Sequence, residues 1–128
     1  MTREEIQQWI VTGPTAALIN KAEQFGRRLQ EGDLTTSQIR QVFTKMKNIE
    51  SKGIDSGRLG DLLMLKPLIS YAAGRNSRCR GLQELKRLVC DGIDQVAAAR
   101  GDELRSRFKN FVKLFEAVLA YHRASGGK

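Results

Sequence analysis

The sequence predicts an all-α fold: a compact bundle of five to six helices forming a single domain over residues 1–128. Three observations carry this expectation. Apolar residues recur at three- and four-residue spacing along most of the chain. No stretch sustains the alternation of a half-buried strand. Caps and glycines punctuate the periodic segments, and the connections between them are too short to separate two domains. The 128 residues lie within the ~100–200 typical of one domain.

The elements follow in order. Thr2 and Glu5 have capping-box spacing ahead of Ile6, Trp9 and Ile10, and Gly13-Pro14 breaks that helix. A second helix is predicted from about Thr15 to Glu31, with Leu18, Ala22, Phe25 and Leu29 inward and Gly32 at its end. The third has the best-specified start. Thr35 and Gln38 are spaced as a capping box, with Leu34 and Ile39 at the staple positions. Its apolar face is Ile39, Val42, Phe43, Met46 and Ile49. Arg40 and Lys47 flank one edge of that face, and Lys45 and Lys52 the other.

A loop is expected from Ser51 to Gly60. The segment Leu62–Ala73 is apolar almost all round, which predicts the most buried helix, bent or restarted at Pro67. Lys66 is its only charge and must reach solvent, an acid or a phosphate. Gly74 fits a C-terminal cap, placing Arg75, Arg78 and Arg80 in the loop that follows. A neutral helix is predicted over Leu82–Arg100, with Leu85, Val89, Ile93 and Val96 inward. The last runs from Glu103 to about Ala124, its wide apolar face formed by Leu104, Phe108, Phe111, Phe115, Val118 and Leu119. Arg105, Lys109 and Lys113 form a basic stripe on its far side, His122 falls on the apolar face as a core histidine, and the tail Ser125–Lys128 is expected to be flexible.

Charge and composition narrow the function. Lys and Arg number 22 against 14 Asp and Glu, a net +8. Residues 1–33 carry a net −1 and residues 34–128 a net +9, so the excess is concentrated, as suits a polyanionic partner. Cys79, Cys90 and His122 cannot supply a four-ligand zinc site, and no GxxxxGK[ST], GxGxxG or GxSxG occurs. No acid–base pair or metal-ligand cluster stands out, so neither a catalytic residue nor a cofactor is expected. Purely apolar runs such as Leu62–Leu65 fall far short of the ~20 residues of a membrane span, and the first residues lack a signal-like apolar stretch. A soluble cytoplasmic protein, with no membrane partner, is the expectation.

Three stretches, LTTSQIR (Leu34–Arg40), LLMLKPLISYAAGR (Leu62–Arg75) and RFKNFVKLFEAVLAYHRASGGK (Arg107–Lys128), total 43 residues. In this order they resemble the small subunit of the type III-A (Csm) CRISPR effector complex. The resemblance implies a non-catalytic helical protein, present in several copies along a filament, that holds target RNA as it pairs with guide RNA. Cleavage then belongs to a neighbouring backbone subunit, and signalling and DNA-directed chemistry to a large subunit. Base pairing does the sequence reading in such systems, so phosphate contacts are expected from the small subunit.

Arg40 and Arg75 lie in the matched motifs and are the first candidates, followed by Lys47 and Lys66. The basic edges of the helices add Lys45, Lys109 and Lys113, and charge alone adds Lys52, Arg78 and Arg80 in the unmatched loops. The uncharged balance of residues 1–33 and Leu82–Arg100, with Arg87 on its exposed side, suits contacts between successive copies. Two other readings compete. LTTSQIRQVF could open the helix of a helix-turn-helix DNA-binding protein, although few side chains there suit base edges. A structural adaptor with a basic surface for acidic proteins is the other.

Overall fold

The computed structural model describes residues 1–55 and 57–128. Among them are seven helices and no strand. They are α1 (Arg3–Thr12), α2 (Ala16–Glu31), α3 (Thr36–Lys52), α4 (Leu59–Leu63), α5 (Leu65–Arg75), α6 (Arg80–Ala97) and α7 (Gly101–Ala124). The protein is an all-α bundle, and only α4, at five residues, adds to the expected number of helices.

Local chemistry sets the helix starts. The Thr2 hydroxyl accepts from the Glu5 amide at 3.1 Å, and the Glu5 carboxylate accepts from the Thr2 amide at 2.8 Å. Thr35 and Gln38 repeat this reciprocal cap on α3 at 3.2 and 2.9 Å. Each box satisfies two amides that the first helical turn leaves without partners. Replacing Thr35 by Ala is therefore expected to cost about 1 kcal/mol of stability, read by denaturant unfolding. An unchanged midpoint would mean that the α7 contact alone holds α3.

The core lies between α7, α6 and α2. Phe108, Phe111, Phe115 and Val118 of α7 are buried with Phe25 and Leu29 of α2 and Leu85, Val89 and Ile93 of α6. Phe115 stacks on Phe43 of α3, ring centroids 6.1 Å apart. Gly92 faces the Phe111 ring so closely that a methyl group would collide with it. A polar clamp ties α1 to α7. The Trp9 indole donates to the Asn110 carbonyl, and the Asn110 amide donates to the Ile10 carbonyl, both at 3.0 Å.

His122 is fully buried, as a core histidine should be. Its Nε2 lies 2.6 Å from the Leu34 carbonyl. A carbonyl only accepts, so Nε2 carries the proton and donates. Leu34 immediately precedes the α3 cap, so this bond joins the C-terminal motif to LTTSQIR. Nearby, α2 and α6 cross where the Gly81 amide donates to the Gly32 carbonyl at 2.8 Å. A Cβ on Gly81 would lie 2.6 Å from the Leu29 carbonyl oxygen, so the crossing needs glycine.

Several expectations are corrected. The apolar segment after residue 60 is not the most buried helix. It breaks at Met64 into α4 and α5, and Leu63, Met64, Leu68 and Tyr71 are exposed. Pro67 explains the break. Its ring collides with the carbonyl four residues back, at Leu63, whereas in the first turn of α5 its missing N–H costs no helical bond. Gly74 is not a cap: α5 runs through it to Arg75, with Asn76 at the C-cap. The loop after α3 is shorter than expected, since α3 continues to Lys52 and α4 begins at Leu59; Ser56 lies outside the described residues. The neutral helix starts earlier, at Arg80, and ends at Ala97. The tail is anchored through Gly127, which is buried, donates its amide to the His122 carbonyl at 3.0 Å and accepts from Arg123 at 2.8 Å.

Candidate nucleic-acid interface

The expected site residues divide by what their charges meet. Lys66 is held by Asp94 of α6 at 2.7 Å, and this bond raises its pKa above the usual lysine value. Lys47 donates to Glu50 at 2.7 Å, with its pKa raised for the same reason. Arg105, the first residue of the α7 stripe, is paired with Asp55 at 2.8 Å and with Asp102. Both lysines and Arg105 remain at the surface, but an acid neutralises each. Among the described residues, no acid lies within salt-bridge distance of Arg40, Lys45, Lys52, Arg75, Arg78, Arg80, Lys109 or Lys113. All eight are exposed.

The fold orders these eight around α3. On one side α3 packs on α7 through Phe43 and Phe115, so the Arg40–Lys47 edge borders the helix that carries Lys109 and Lys113. On its other side α3 runs beside α5 without close packing and leaves a groove of about 260 Å³. Val42, Leu65, Ile69 and Ala72 line the groove, with Gln38, Gln41, Lys45 and Asn76 along its polar margin. Gln38 at the start of α3 and Asn76 at the end of α5 share this groove, which brings the start of α3 toward the Arg75–Arg80 turn. Arg40 and Lys45 themselves border a shallow depression with Ser37, Gln41 and Thr44.

Arg75 is the last residue of α5, Arg78 lies in the turn, and Arg80 opens α6. They therefore do not form the continuous loop expected from Gly74. Exposed cations without counter-charges raise the local potential and suit phosphates spaced along a strand.

Sequence reasoning missed Tyr71 and Leu68, both exposed. The segment is apolar all round, so periodicity does not show which side faces solvent. Lys66 misleads as the only charge, because it points to Asp94 on α6. The usable signal was Arg75, which shares its helix face with Met64, Leu68 and Tyr71.

The neutral helix also serves the chain itself. α6 packs on α1, α2, α4, α5 and α7. Arg87 donates to the Met1 carbonyl at 2.7 Å and pairs with Glu84 and Asp91. It is thus an internal tie, and reversing its charge would disturb α1 along with any contact between copies.

Among the described residues, no group of three or more His, Cys, Asp and Glu side chains is placed to hold a metal ion. Among the described residues, no helix is long and apolar enough to cross a membrane. A family model described as Csm2 Type III-A matches residues 13–128, which takes in every candidate cation and all helices after α1. No curated protein and no solved structure matches the chain.

Proposed function

The chain belongs to the Csm2 type III-A family, a small subunit of the type III-A CRISPR complex, and from that premise we propose that it is a non-catalytic, RNA-binding subunit acting in antiviral defence. It binds the phosphate backbone of target RNA and of the guide–target duplex, and its copies repeat along the filament beside the backbone and large subunits, in the cytoplasm. The carrying observation is the set of eight exposed cations that have no acidic partner among the described residues, ordered on α3, on α7 and at the junction of α5 and α6.

Arg40, Lys45, Arg75 and Arg78 form the principal contact, and Lys109 and Lys113 extend it along α7. Lys52 and Arg80 lie at its margins. Lys47 and Lys66 contribute less, because a phosphate must compete with Glu50 and Asp94 for them. Direct contacts to phosphate make binding sequence-tolerant and salt-dependent.

Titrating the full chain with single-stranded RNA at several salt concentrations tests this. Log affinity is expected to fall with log salt at a slope of about −0.7 for each phosphate contacted. An affinity independent of salt contradicts phosphate contact. Preference for a specific DNA duplex favours the helix-turn-helix reading instead.

A further inference from the structure

Met64, Leu68, Tyr71 and Arg75 recur at helical spacing and so occupy one face of α5 and its approach. None of the described residues covers this face. Met64, Leu68 and Tyr71 are 58, 49 and 68% exposed, although nearly every other large apolar side chain is buried or half-buried. The Arg75 guanidinium stands over the Tyr71 ring, 5.7 Å from its centroid. This contact orients the ring and leaves most of it open to solvent. Beside Leu68 runs the groove between α3 and α5, apolar in its depth and bordered by Gln41, Lys45 and Asn76.

We infer that this face is a stacking platform for an unpaired base of the bound RNA strand. The base lies against Tyr71 and Leu68, and Arg75 and Lys45 meet the phosphates on either side of it. The inference rests on the RNA-binding reading above and adds a base contact to its phosphate contacts.

Charge complementarity selects this occupant. Arg75 stands in the stripe, Lys45 borders the groove beside Leu68 and Arg78 lies in the turn after α5, none of them with an acid within salt-bridge distance among the described residues. Protein–protein interfaces share aromatic, Met and Arg side chains with such a stripe but are depleted in Lys, whereas a single-strand site combines aromatic surfaces with a positive groove such as the one Lys45 borders. Tyr71 also needs no base-specific partner, because every base has a π face.

The test titrates the full chain with a fluorescent oligouridylate, a ribose-phosphate oligomer of equal length without bases, and a paired RNA duplex. The single strand with bases is expected to bind tightest. Tyr71→Ala should weaken its binding about fivefold or more. The salt slope should stay unchanged, because no phosphate contact is lost, and Tyr71→Trp should retain full affinity. Tyr71 is mostly exposed, so Tyr71→Ala should melt with the parent chain.

If Tyr71→Ala binds the single strand as tightly as the parent while Arg40→Glu weakens it, the platform is wrong and the phosphate reading stands. If the oligomer without bases binds as tightly as the oligouridylate, the platform is likewise overturned. If none of the probes binds in a salt-dependent way, both readings fall. If Tyr71→Ala keeps its RNA affinity and instead reduces the copies held in the assembled complex, the stripe is a protein interface.

Discussion

Replacing His122 by Ala is expected to lower unfolding stability by about 2–5 kcal/mol. The side chain is fully buried, and its Nε2 donates to the Leu34 carbonyl at 2.6 Å. Removing it leaves a cavity under the C-terminal turn and a carbonyl without its donor. The second loss reaches the interface, because Leu34 leads directly into the Thr35 cap that sets the start of α3. Gly26 lies against the same turn: a Cβ there would come within 2.8 Å of the His122 amide nitrogen, so α2 leaves little room for the chain to relax. His122→Leu separates the two contributions, filling most of the volume without restoring the donor. Denaturant unfolding should rank the proteins parent, Leu, Ala. If His122→Leu equals the parent, the hydrogen bond contributes nothing and only packing matters.

Where sequence and local physics agreed, the fold was legible. Both capping boxes, the Gly13 and Gly32 stops and the inward faces of α2, α6 and α7 follow from spacing that tertiary contacts reinforce. The stretch from Leu62 to Gly74 was harder. With apolar residues on every side, its pattern predicts burial and gives no direction, yet α5 lies at the edge of the bundle with one side on α6. Gly74 carried a real cap signal, but helix propensity on either side is enough to run α5 through it. The anchored tail depends on Gly127 fitting against His122, a contact between backbone and side chain that composition does not reveal.

The candidate site was legible as a list of cations. Which of them are free was not, because pairing is a tertiary fact. Glu50 is close to Lys47 in sequence, but Asp94 reaches Lys66 and Asp55 reaches Arg105 only through the fold.

Reversing Arg40 and Arg75 together is expected to weaken RNA binding by about 25-fold or more at ~0.1 M salt. The figure counts one phosphate contact for each arginine, at a slope of about −0.7 per contact. Repulsion from the introduced carboxylates adds to the loss. Both arginines are exposed, and neither has an acid within salt-bridge distance among the described residues. The fold should therefore be preserved, apart from the loss of the Arg75 contact to Tyr71. Reversal of Lys66 should do less to RNA binding, since an acid already neutralises it.

Native mass spectrometry of the complex assembled with the Arg40→Glu/Arg75→Glu chain, before and after addition of target RNA, separates RNA binding by this face from a role in assembly. The expected result is the same number of small-subunit copies as in the parent complex and a marked loss of retained target RNA. Loss of copies before any RNA is added would make these arginines assembly residues and would contradict the assignment of this face to RNA.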